Sequence, residues 1–167
     1  MIGFLRKIFK RRTLEELAAD PKSGVINDQD FGYISFEPPY DDEDEGFWQM
    51  YNDWEHPEAN AKVSCSLIPG NEDGPFDVSR EFFLSKRQEL GSLWELCLEE
   101  LRKIIKEWYA KENISDPREI FFLSSLSMVR SDSKDWEVSF EAKDGHFWTF
   151  VSFQIRDNRI IGNTIDM

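Results

Sequence analysis

Between residues 136 and 142 the side chains alternate: Trp136, Val138, Phe140 and Ala142 are separated by Glu137, Ser139 and Glu141. That period of two belongs to a half-buried strand. Asp144-Gly145 follows, a strong two-residue hairpin turn. "HFWTFVSFQI" then pairs back, and Asp157-Asn158 turns the chain into "RIIGNTI". An antiparallel meander with one apolar face needs a second layer against that face.

A helix supplies it. Leu90, Trp94, Cys97, Leu101, Ile105 and Trp108 recur at helical spacings, and Glu99 and Lys103 form a favourable pair one turn apart. Gly91, followed by the Ser92–Glu95 capping box, predicts a kink or a restart there. Two short helices are marked by capping boxes: Thr13 with Glu16, and Asp116 with Glu119, the latter with Pro117 at the first helical position. Val25-Ile26 and the stretch from Phe31 to Phe36 read as a hairpin closed by "EPPY". "AKVSCSLIPG" reads as a strand with Val63, Cys65 and Leu67 on one face, and "GNEDGP" as a turn. Leu126 and Met128 mark a further strand. The fold class is therefore α+β: an antiparallel sheet of about six or seven strands, ending in the meander, against one long or broken helix. Residues 25–167 form this domain. Residues 1–20 form a basic amphipathic helix plus a short helix.

The chain carries −13. Its first twelve residues hold five of the twenty basic side chains and no acidic ones, so the rest carries −18. A body that negative repels phosphate backbones and excludes nucleic acid as a partner. It attracts basic proteins. Within the first twelve residues, Ile2, Phe4, Leu5, Ile8 and Phe9 share one helical arc, opposite Arg6, Lys7, Lys10 and Arg11. Those four cations are candidate contacts for an anionic membrane surface. No apolar run is long enough to span a bilayer, and no secretory cleavage pattern is visible, so the expected compartment is the cytoplasm. Cys65 and Cys97 form no C-x-x-C pair and read as buried, reduced thiols.

The segment "DDEDEGFWQMYNDWEHPE", residues 41–58, has eight acidic residues, no Lys or Arg, and the aromatics Phe47, Trp48, Tyr51 and Trp54. It reads as an acidic loop carrying aromatic anchors. Asp53 and Glu55 beside Trp48 and Trp54 are the expected centre of a partner-binding rim, because charge steers encounter and buried aromatics hold the complex. A calcium-loop reading starting at Asp41 fails at its twelfth position, which is Asn52, and no helical pattern precedes it. His56 and His146 are the only histidines, and no metal-ligand spacing surrounds either. Neither a phosphate loop nor a nucleophile elbow occurs, so no catalytic residue, metal or cofactor is assigned.

"INDQDFGYISFE", a later tryptophan, the strand ending in "GNEDGP", the long helix, "SDPREI" and "VSFEAKDGHFWTFVSFQIRDNRIIG" follow in order over roughly residues 25 to 163. This order resembles the uncharacterised bacterial domain of unknown function numbered 2262. The resemblance implies no known activity. Thr149-Phe150 follow Phe147-Trp148 where such domains often have Gly-His, so no role for that histidine carries over. Small acidic domains of this kind also resemble immunity proteins of bacterial toxin systems. The expectation is a non-enzymatic domain that binds a basic protein, in concrete form an immunity protein neutralising a basic toxin. The alternatives are a membrane-peripheral adaptor acting through the basic N-terminal helix, and an enzyme with an unrecognised carboxylate site.

Overall fold

The computed structural model describes residues 12–39, 45–108, 116–143 and 150–166. The chain is α+β. Among the described residues, eleven strands form two sheets. A short helix α1 (Leu14–Ala18) opens the described chain, with the Thr13–Glu16 capping box in place. It lies beside β1 (Val25–Asp28), which pairs with β2 (Gly32–Glu37). Next come β3 (Gly46–Met50), β4 (Trp54–His56), β5 (Ala61–Ser66), β6 (Ile68–Asn71) and β7 (Gly74–Pro75). Two consecutive helices follow: α2 (Asp77–Gln88) and α3 (Leu90–Trp108). The last elements are α4 (Pro117–Ile120), β8 (Phe121–Ser127), β9 (Asp135–Ala142), β10 (Phe150–Arg156) and β11 (Arg159–Asp166).

The first sheet has the order β1-β2-β3-β6-β7, and the second β11-β10-β9-β8-β5-β4. The expected single antiparallel sheet is corrected in two ways. First, β5 and β8 pair in parallel. Parallel neighbours need a long crossover, and the stretch containing α2 and α3 supplies it. Second, the run "AKVSCSLIPG" is two strands. Leu67 between them has φ 53, so the chain turns there and leaves one sheet for the other. Leu67 does not continue the face of Val63 and Cys65; it is 40% exposed. Its carbonyl accepts a hydrogen bond from the Met128 N–H at 3.2 Å.

The meander forms as expected. Val138, Phe140, Val151, Phe153 and Ile155 are buried, and α3 lays Leu93, Trp94, Cys97, Leu101, Ile104 and Ile105 into the same core. Trp94 meets Phe140 edge-on at 4.7 Å between ring centroids. The Asp157-Asn158 turn has both residues at positive φ, as a type I′ hairpin turn requires. The Asp144-Gly145 turn lies outside the described residues.

On the other face of the second sheet, hydroxyls replace apolar groups. Ser64, Ser125, Ser139, Ser152 and Thr164 stand in register across five strands. The Ser139 and Ser152 hydroxyls lie 2.9 Å apart, which satisfies each in part.

The helix break falls at Glu89, just before the position that Gly91 indicates. A Cβ placed on Gly91 would meet nothing within 4 Å. Gly91→Ala should therefore stabilise the protein by about 0.5–1 kcal/mol, through higher helix propensity and a less free unfolded chain. A rise in the urea midpoint at unchanged m-value is the expected readout.

Both cysteines are buried and free. Burial holds the Cys65 thiol well above its usual range, with Arg87 opposing weakly, and pushes Cys97 up to about 12. Neither forms thiolate at neutral pH. In the native state, both should resist a thiol-specific reagent for as long as the protein stays folded, and react once it is denatured.

Candidate functional site

The acidic-aromatic segment is not one loop. Asp41 to Asp44 lie outside the described residues, but from Gly46 onward the chain forms β3 and β4. Alternation along β3 then divides the aromatics. Trp48 and Met50 point inward, while Phe47 is only half-buried and Gln49 is exposed. Trp48 is 1% exposed and Trp54 7%. Their expected role as surface anchors is corrected: both rings belong to the core. Trp48 donates its indole N–H to the Asn71 carbonyl at 3.0 Å. Trp54 stacks on Phe31 at 5.7 Å.

The remaining carboxylates are less uncompensated than their spacing suggests. Glu45 accepts two hydrogen bonds from Ser131, from its N–H at 2.8 Å and its hydroxyl at 2.5 Å, tying the start of β3 to the turn before β9. Asp53 sits 3.6 Å from Lys62. Glu55 is exposed, and its backbone register pairs it with the same Lys62. Asp53 and Glu55 thus remain surface residues, while Trp48 and Trp54 do not. The four N-terminal cations, Arg6, Lys7, Lys10 and Arg11, lie outside the described residues.

The exposed apolar groups lie elsewhere. Tyr51, just past β3, is 48% exposed, and Val129 is 60% exposed. Leu67, the residue held at positive φ, stands between two shallow clefts. One, of about 290 Å³, is lined by Glu37, Phe47, Gln49, Ser66 and Leu67. The other, of about 340 Å³, is lined by Leu67, Val129, Glu137, Gln154 and their neighbours. A leucine in the left-handed region is unusual, and such outliers concentrate at functional surfaces. Sequence reading missed Leu67 because strand alternation assigned it to the core. The only available signal was the Pro69-Gly70 pair that follows, a turn-type dipeptide that the structure places inside β6.

One internal cluster joins the two layers. Arg80 on α2 makes a bidentate contact with Asp28, at 2.8 and 2.7 Å, and reaches Asp30 at 2.6 Å. Its guanidinium also lies over Phe31, 5.4 Å from the ring centroid. Two turns along α2, Arg87 lies over Trp54 at 4.7 Å. The stacked Phe31–Trp54 pair is thus covered by one guanidinium at each ring. Burial raises the Asp28 carboxyl, but the Arg80 hydrogen bond and the Asp30 and Phe31 N–H groups together hold it below its ordinary range.

Among the described residues, no three His, Cys, Asp or Glu side chains are grouped to hold a metal. His56 has Nδ1 3.5 Å from Glu58, and His146 lies outside the described residues. Among those residues no helix is long and apolar enough to cross a membrane. The chain matches no family model, no curated protein and no solved structure.

Proposed function

We propose that the protein is a non-enzymatic binding domain for a basic protein, in concrete form an immunity protein that neutralises a basic toxin. The observation that carries this reading is the ridge at Leu67. An exposed leucine, held in an unfavourable backbone conformation, stands between two clefts whose walls carry Phe47, Val129, Glu37 and Glu137. Apolar knobs edged by carboxylates suit a partner that brings lysines and arginines around an apolar patch. The net charge of −13 steers such a partner over long range.

The test uses a panel of basic proteins as probes, any basic product of a neighbouring gene included, with association and dissociation followed at several salt concentrations. Replacing Glu37 and Glu137 with Gln should slow association and flatten its salt dependence. Leu67→Ser should mainly speed dissociation. Unchanged rates for both variants would exclude this face as the binding surface.

A further inference from the structure

We propose that the cleft beside the α2–α3 break is a binding site for a small organic anion, a carboxylate or phosphate on an apolar body, held by Arg87. The cleft measures about 500 Å³, and its walls include Leu84, Arg87, Gln88, Gly91, His56 and Glu58. Small-molecule sites typically span roughly 300–1,000 Å³, with a few polar groups on a mainly apolar wall.

Arg87 is what separates this cleft from the others. Arg12, Arg80, Arg102, Arg118, Arg130 and Arg156 each reach a carboxylate. Among the described arginines only Arg87 and Arg159 do not, and Arg159 is exposed to water. Arg87 is half-buried, and among the described residues its guanidinium makes no hydrogen bond and no ion pair. In a chain with 33 acidic and 20 basic side chains, a carboxylate partner is easy to supply. One even lines the same cleft: Glu58, whose carboxylate instead sits 3.5 Å from His56.

A guanidinium that has lost part of its hydration without gaining a partner is unfavourable by itself. Trp54 offsets some of this by lying under its face, and Phe31 fixes Trp54 in turn. Stacking leaves the edge of the guanidinium free. That edge is a planar fork matching the two oxygens of a carboxylate or phosphate. Gln88 adds an amide on the same wall, and the Nε2 atom of His56 is buried with no hydrogen-bond partner. Above Gly91 there is open space rather than side chains, and Leu84 provides apolar wall for the body of the ligand.

The test follows the Trp54 indole and Gly91 amide signals by NMR in the full chain. Benzoate, phenyl phosphate and benzyl alcohol are titrated in turn. The expected result is a saturable shift with one or both anions and none with the alcohol; which anion saturates identifies the head group. Arg87→Gln should weaken binding about ten-fold or more, the loss of a charge-assisted hydrogen bond. Arg87→Lys should retain part of the affinity, since it keeps the charge but not the fork. Gly91→Leu should fill the cleft and abolish binding while the circular dichroism and melting curve show an intact fold. Equal shifts with benzyl alcohol, no saturation with either anion, or full affinity in folded Arg87→Gln or Gly91→Leu protein would overturn the proposal.

Discussion

Replacing Trp48 with Ala should lower the free energy of unfolding by about 3–5 kcal/mol, read as a large fall in the urea midpoint. The ring is 1% exposed and packs on Phe36, with 5.2 Å between centroids. Its removal leaves a cavity and also strands the Asn71 carbonyl, which now accepts the indole N–H. The surroundings are built to the shape of this ring. A Cβ at Gly70 would run into the Gly74 carbonyl oxygen and come within 2.8 Å of Trp48 Cδ1 and 2.9 Å of Pro75 Cα, so the neighbouring strand β6 needs a glycine there. Against a typical domain stability of about 5–15 kcal/mol, the loss is a large share of the whole. Tyr51→Ala, at a residue 48% exposed, should change stability by less than about 1 kcal/mol. A Trp48→Ala protein that melts like the parent would place the ring outside the core. The pair of variants also separates folding from recognition: weakened binding in Trp48→Ala reports on fold, whereas weakened binding in Tyr51→Ala reports on surface.

The contrast between these two aromatics shows what the sequence conceals. Periodicity made the meander and the α3 stripe legible, because Val138, Phe140, Leu101 and Ile105 repeat at the spacing of their element. Capping chemistry placed α1 and α4, since a side-chain oxygen three residues from its partner is a local signal. In residues 46–58 the same alternation operates, but charge obscures it. Carboxylates on both sides of a five-residue strand suggested solvent, although the strand between them sends Trp48 and Met50 inward. Leu67 was illegible for a different reason: its φ is set by the passage from one sheet to the other, a tertiary demand that no window of sequence contains. The parallel β5–β8 pair is likewise a consequence of where the helices return the chain. Arg87 could not be singled out from sequence at all. Its distinction is the absence of a carboxylate near it, and 33 acidic residues offer one at almost any linear spacing.

Asp28→Ala should cost about 2–4 kcal/mol, below the ~3–5 kcal/mol of a wholly buried pair, because Arg80 keeps Asp30 and is partly solvated. The Asp28 side chain is 8% exposed and that of Arg80 is 22% exposed. Two losses combine. The carboxylate is the bidentate partner of Arg80, and it also accepts the N–H groups of Asp30 and Phe31, at 2.8 and 3.1 Å, closing the β1–β2 turn. Asp28→Asn separates them, since its amide oxygen can still accept the turn N–H groups while the charge is gone. It should fall between the parent and Asp28→Ala. The pH dependence has a definite sign. The folded carboxyl lies below its ordinary value of 3.8, so its contribution is complete well above that value and is lost as pH falls below it. The parent should therefore lose stability as pH falls through about 4 toward 2, and the difference between parent and Asp28→Asn should shrink over the same window. A difference that stays constant from neutral pH down to 2 would mean the Arg80–Asp28 charge pair contributes nothing, leaving only the neutral hydrogen bonds of the turn.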